Sequence, residues 1–275
     1  MSGIISAFVV MCFVVWLIEK IVRWLRGASG GAAKRCDVVT CKHHAPLPMN
    51  KKLLLLCVLT LPVRLGAEPA LPSKPNVILV VTDDQGFGDV GVHGNDKIRT
   101  PHLDRFARKG IRLTRFYCQP LCSPTRAGLM TGRYHYRTGV IHTSRGGAKM
   151  HGSEVTIAEL LSQAGYATAI FGKWHLGNNY PMRPQDQGFR EVLIHRSGAP
   201  GQPPDHGNGY FDSLLWHNGV QIRAEGYCAD VFTDAAIQFI EASRNTPFFV
   251  YLSTSAPHTP WRLTKNTFSR TASGA

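Results

Sequence analysis

The strongest constraint on the fold is an alternation of short apolar runs with amphipathic helical patterns that begins at Asn76. Asn76 to Thr82 reads NVILVVT, a β-branched run between Pro75 and Asp83, and predicts a strand buried on both faces. Thr100 offers an N-cap with Pro101 at the first helical position. Leu103, Phe106 and Ala107 then make one apolar face, and Gly110 stops the helix. Ile111 to Tyr117 is expected as a second strand. Thr156 and Glu159 form a capping box ahead of Ile157, Leu160 and Leu161, with Gly165 as the stop, and Tyr166 to Phe171 follows as a strand. Residues 229–242 predict a further amphipathic helix, and after Pro247 comes the strand Phe248 to Ser253. This order implies an α/β fold, a mostly parallel sheet flanked by helices, whose ligands gather at the carboxyl ends of the strands.

A length of 275 residues allows one or two domains with a sizeable core, and no period of 20 to 50 residues repeats. The net charge of +13 is concentrated at the front: residues 1–67 hold nine Lys/Arg against Glu19 and Asp37, leaving 22 against 16 in residues 68–275. No run of Lys/Arg interleaved with aromatics occurs there, which argues against a nucleic-acid partner and suits an anionic small substrate.

Residues 1–67 read as targeting. The apolar stretch Ile4 to Ile18 has no basic segment before it, and Lys20, Arg23 and Arg26 follow it. The stretch from Met49 has a basic start (Lys51, Lys52), an apolar centre (Leu53 to Val63) and a small-residue end (Leu65, Gly66, Ala67), the pattern of a cleaved signal peptide. Met49 is therefore the expected initiator, residues 1–48 an upstream extension, 49–67 the signal peptide and 68–275 the folded domain. The expected location is periplasmic or secreted. The alternative is a membrane anchor at residues 4–18, the chain's one route to a membrane, although some 15 apolar residues are short for a span.

Cys118, Cys122 and Cys228 lie beyond the leader; three is odd, so one thiol is left over even if two pair. No Cys/His spacing matches a zinc site. Gly86, Gly88 and Gly91 spell G-x-G-x-x-G after the first strand, but the adjacent Asp83 and Asp84 would repel a pyrophosphate, and GVHGNDKIRTP contains too many breakers to open a helix. Paired carboxylates at a strand end suit a hard cation, Ca²⁺ or Mg²⁺. In PLCSPTRAGLMTGR, Cys122 stands just before a Pro that can begin a helix, where free N–H groups favour an anion, and Arg126 follows one turn on. Lys173 and His175 follow the strand at 166–171, and His258 follows the last one, so four strand ends carry polar chemistry.

With these residues in place, the chain resembles the type I sulfatases, arylsulfatase-like members of the alkaline phosphatase superfamily, from about Pro75 to Trp261. The motifs that carry the resemblance are C-x-P-x-R with its trailing L-x-T-G-R (Cys122 to Arg133), GYATAIFGKWHLG (Gly165 to Gly177) and NVILVVTDDQGFGD. The resemblance implies an alkaline-phosphatase-like fold and conversion of Cys122 to formylglycine by a converting enzyme. It implies Asp83, Asp84 and the modified Cys122 as ligands of Ca²⁺, with Mg²⁺ as the other option. Arg126 and Lys173 would brace nucleophile and sulfate, His175 would hydrogen-bond the formylglycine hydroxyl, and His258 would protonate the leaving group. His195 is expected to line the pocket.

The implied activity is hydrolysis of a sulfate ester of a carbohydrate or aryl alcohol. Two alternatives stand beside it, a non-catalytic remnant and a phosphatase or phosphodiesterase of the same superfamily, which would carry Ser or Thr as nucleophile. The family's Asp-Asn pair, second sulfate-binding Lys and C-terminal subdomain have no counterpart after His258, so the chain reads as truncated.

Overall fold

The computed structural model describes residues 74–262, apart from 197, 203–204 and 206–208. The expected signal peptide, upstream extension and boundaries at 48 and 67 lie outside the described residues. Among the described residues no helix is long and apolar enough to cross a membrane.

Six strands form one sheet: β1 (Val77–Val81), β2 (Ala167–Lys173), β3 (Glu191–His195), β4 (Leu214–His217), β5 (Val220–Arg223) and β6 (Phe248–Ser253), in the order β1-β6-β2-β3-β4-β5. β1, β6, β2 and β3 run parallel, as the strand and helix alternation requires. β4 and β5 add an antiparallel hairpin, turned through Asn218 and Gly219, both at positive φ. The helices are α1 (Pro101–Lys109), α2 (Cys122–Thr131), α3 (Ile157–Gln163) and α4 (Cys228–Ala242).

Alternation along the strands divides the core. On one face Phe171, Leu193, Phe248 and Val250 pack against Phe232 and Ala236 of α4. On the other, Phe189 lies with its ring centroid 5.9 Å from Phe249 and 6.2 Å from Tyr251, with Trp174 edge-on at 5.9 Å. α3 starts as its sequence dictates: the Thr156 hydroxyl accepts from the Glu159 amide at 3.2 Å, and the Glu159 carboxylate accepts from the Thr156 amide at 2.8 Å. The β2–β6 pairing needs Gly172, because a Cβ there would lie 1.9 Å from the Ser253 carbonyl oxygen.

Several expectations need correction. β1 is the outermost strand, and Ile78 and Val80 are 50% and 38% exposed, so it is buried on one face only. A continuous apolar run does not distinguish an edge strand from a central one. Ile111 to Tyr117 forms no strand; the segment is irregular, with Ile111 and Tyr117 exposed. Its apolar residues find no neighbouring strand to pair with. α1 has the expected Thr100 cap position and Pro101 start, but none of its residues is buried and Phe106 is half exposed. The Thr100 hydroxyl bonds Asp104 and the Gly91 amide and does not cap the helix. The glycines of G-x-G-x-x-G open two 3₁₀ turns (Phe87–Asp89 and Gly91–His93) and no α-helix, as the breakers in that segment imply.

Candidate active site

Asp83 extends from the end of β1 into the interior and is fully buried. Its Oδ2 accepts from Lys173 Nζ at 2.5 Å, and its Oδ1 from Arg126 Nη2 at 3.2 Å. Lys173 is the last residue of β2, one strand beyond β6 in the sheet, so the parallel register brings both groups to the same carboxyl edge. Burial works against the Asp83 charge, but Lys173 and Arg126 outweigh it and hold the carboxyl below its usual range.

Arg126 reaches this point from α2, one turn after Cys122. It is almost fully buried and donates to the Lys173 carbonyl at 3.1 Å, to the Tyr251 hydroxyl at 3.0 Å and to the Ser253 hydroxyl. Its charge is thus fixed by one carboxylate and three neutral oxygens.

Cys122 is the first residue of α2 and is buried, with Sγ 3.3 Å from His175 Nδ1. The other ring nitrogen, His175 Nε2, lies 3.0 Å from the Thr143 carbonyl oxygen. A carbonyl only accepts, so the proton belongs on Nε2, and Nδ1 presents a lone pair to position 122. Burial, then the Lys173 and Arg126 charges, push the His175 pKa down to about 3 and keep the ring neutral. His175 and Asp84 both have left-handed backbones, φ 57° and 60°. Non-glycine residues in that region carry strain of about 1 to 3 kcal/mol each and cluster at functional sites.

His258 follows β6. Its Nε2 lies 3.4 Å from Asp84 Oδ2 and its Nδ1 2.5 Å from the Thr259 carbonyl. The ring thus faces a carboxylate on one side and a carbonyl on the other. The loop that carries it is tied to β1: Asp83 N donates to the Ala256 carbonyl and Thr254 N to the Val81 carbonyl.

The structure therefore assembles Asp83, Cys122, Arg126, Lys173 and His175 into one cluster, with Asp84 and His258 paired beside it. Three strand ends supply residues, from β1, β2 and β6. Cys122 arrives at a helix start, which corrects the expectation of a fourth strand end. His195 is buried at the end of β3 and lies 2.5 Å from the Ser255 hydroxyl through Nε2, a contact that supports the loop carrying His258. Burial and Lys173 hold its pKa well below the ordinary value. Cys122 and Cys228 are free thiols. Tyr251, Ser253, Ser255 and Thr143 were not foreseen; alternation within Phe248 to Ser253 was the available signal for Tyr251 and Ser253, which lie on the face opposite α4.

The sulfatase family model matches residues 75–274. The chain belongs to the sulfatase family. It is 35% identical over 228 residues to the N-acetylglucosamine-6-O-sulfatase of Bacteroides thetaiotaomicron, covering 82% of this chain and 38% of that one. Human arylsulfatase A is 34% identical over 229 residues, covering 71% and 44%. Among solved structures, BT4656 in complex with its substrate D-glucosamine-2-N,6-O-disulfate superposes with a TM-score of 0.62 and 32% identity over 73% of this chain and 38% of that one. The chain thus spans less than half the length of these relatives.

Family membership implies a divalent cation, and the residues present do not complete its site. Both oxygens of Asp83 are engaged by Lys173 and Arg126, and Asp84 faces His258. Among the described residues no group of three or more His, Cys, Asp and Glu side chains is placed to hold a metal ion, well short of the 6 to 8 oxygens Ca²⁺ takes.

Proposed function

We propose that Cys122 is converted to formylglycine and that the site hydrolyses sulfate esters, with a sulfated carbohydrate or an aryl sulfate as substrate. The observation that supports this most is the placement of Cys122 at the start of α2, its Sγ 3.3 Å from the unprotonated nitrogen of His175. Formylglycine supplies, on hydration, a hydroxyl nucleophile and a second hydroxyl whose deprotonation releases sulfate and restores the aldehyde. His175 Nδ1 accepts a hydrogen bond from the formylglycine hydroxyl and orients it, a role for which a neutral imidazole held by Thr143 is already placed. The amide groups of the first turn of α2 and the charges of Lys173 and Arg126 offset negative charge developing on the sulfuryl oxygens. His258 protonates the departing alcohol. No step here is assigned to a cation.

A thiol or an ordinary hydroxyl at position 122 would leave a slowly hydrolysed sulfated intermediate, which is the chemical reason for the modification. Cys within C-x-P-x-R also opposes the phosphatase reading. The reading extends to export, with cleavage after Ala67 and Glu68 as the mature N-terminus, which N-terminal sequencing of exported protein checks.

The deciding experiment produces the chain together with a formylglycine-converting enzyme. The peptide containing Cys122 is weighed, and turnover of an aryl sulfate is compared with that of the matching phosphate. The expected result is an aldehyde at position 122 and preference for the sulfate. Sulfate turnover by a chain whose Cys122 is an intact thiol would overturn the proposal, as would preference for phosphate.

A further inference from the structure

The positive charge beyond residue 67 has one source. Residues 97–115 hold seven Lys/Arg against Asp104 alone, which is the whole excess of the 22 Lys/Arg over the 16 Asp/Glu in residues 68–275. All seven are exposed, on α1 and on the chain either side of it. Asp104 does not offset them at the surface: it is half-buried, and its Oδ1 accepts from the Val92 amide at 2.7 Å and from the Thr100 hydroxyl at 3.0 Å. Lys97 lies 3.6 Å from Asp96, a pair exposed on both sides and therefore weak in water. With about 3.6 residues per turn, Leu103, Asp104 and Ala107, the half-buried residues of α1, share its inward side, and Arg105, Arg108 and Lys109 share the other.

The same stretch carries apolar side chains that the fold does not bury. Ile98, Phe106 and Leu113 are about half exposed, Ile111 is 78% exposed and Tyr117 85%. Cations interleaved with exposed aliphatic and aromatic side chains, on and around a short helix, are the composition of a segment that lies in a lipid interface. A nucleic acid or a sulfated polysaccharide would use the cations and leave Ile98, Ile111 and Leu113 in water. An anionic lipid surface uses both.

We propose that residues 97–117 bind an anionic lipid surface, with α1 lying in the plane of the headgroups. Arg105, Arg108 and Lys109 reach lipid phosphates, and Phe106, Ile111 and Leu113 enter the boundary of the acyl chains. This adds a second route to a membrane to the one expected at residues 4–18. It uses no residue of the catalytic cluster and goes beyond the sulfate-ester reading, so it is measured as binding, without turnover.

The test is amide hydrogen exchange of the full chain with vesicles of phosphatidylcholine alone and of an equal mixture of phosphatidylcholine and phosphatidylglycerol, read in the peptides that cover residues 97–117. Reading those peptides separates this surface from residues 1–67, which carry apolar stretches and cations of their own. One variant combines Arg105→Gln, Arg108→Gln and Lys109→Gln, a second combines Ile111→Ser and Leu113→Ser, and melting curves confirm that both fold. Anionic vesicles are expected to slow exchange across 97–117 in the parent chain, and neutral vesicles to leave it unchanged. Each cation near an anionic surface is worth about fivefold in affinity, so the charge variant should need at least about tenfold more anionic lipid for the same protection. Salt at 1 M, which screens charges within about 3 Å, should remove the protection. The apolar variant should lose it at the lipid concentration that protects the parent. Unchanged exchange at 97–117 in a vesicle-bound parent chain would place the contact in residues 1–67 and overturn the proposal. Equal protection by neutral vesicles, or in the apolar variant, would overturn it as well. Protection by heparin and not by vesicles would assign the cations to a soluble polyanion, with the same result.

Discussion

Asp83 holds two buried cations with one carboxylate, and that ratio decides what a substitution there does. Asp83→Asn keeps the shape but leaves Lys173 and Arg126 as uncompensated charges in the interior, a change that typically costs about 3 to 5 kcal/mol. A urea titration should show the midpoint falling accordingly; an unchanged midpoint would mean that water reaches the pair. Cys122→Ala should instead abolish turnover while largely sparing the fold, since no buried charge loses its partner, and a melting curve beside the aryl sulfate assay separates the two effects. Cys228 is a different kind of thiol, pushed up to about 12 by burial, and should resist iodoacetamide in the folded protein at mildly alkaline pH while reacting in urea. Residues carried by C-x-P-x-R and G-K-W-H were legible because each motif fixes residue type and spacing together. Thr143, which sets the tautomer of His175, was not legible: it acts through its backbone carbonyl, which every residue type possesses.

Elements defined by local chemistry came out as their sequences dictate, and those that depend on a neighbour did not. Thr156 and Glu159 cap α3 through contacts three residues apart, and Phe248 to Ser253 is a strand with the expected ends. The segment at 111–117 has strand-like residues but no partner, and pairing is not written in the segment itself. The hairpin of β4 and β5 was missed although Asn218-Gly219 is a strong turn signal between apolar runs. Thr156→Ala should test how much the local cap is worth. The hydroxyl accepts from Glu159 and also donates to the Gln187 carbonyl at 2.7 Å, joining the start of α3 to the turn before β3. Loss of a cap typically costs about 1 kcal/mol, and the second bond should bring the total nearer to 2 kcal/mol. Chemical denaturation of Thr156→Ala and Thr156→Ser measures it; the Ser variant keeps the hydroxyl and should retain most of the stability. Equal losses in the two would assign the effect to the methyl group.

At the scale of the whole molecule, exposed apolar residues occur on the outermost strand of the described sheet and in the chain that leads to Cys122. β1 pairs with β6 on one side only, and Ile78 and Val80 project from it half exposed. Nearby in sequence, α1 buries none of its residues, and Ile111, Leu113 and Leu121 are exposed in the segment that leads to Cys122. Exposed strand edges with apolar side chains favour pairing between molecules, and contiguous apolar patches beyond a few hundred Å² are uncommon on monomers. The chain should therefore self-associate as its concentration rises and bind a hydrophobic dye while retaining its far-ultraviolet dichroism. Replacing Ile78 and Val80 together with Thr keeps the β-branched shape that suits a strand and removes apolar area from the exposed face. That double variant should sediment with a larger monomer fraction and bind less dye, with little change in melting temperature because neither side chain contributes to the buried core. A parent chain that sediments as a single monomer across the same concentrations, without dye binding, would show that this edge is shielded and would refute the expectation.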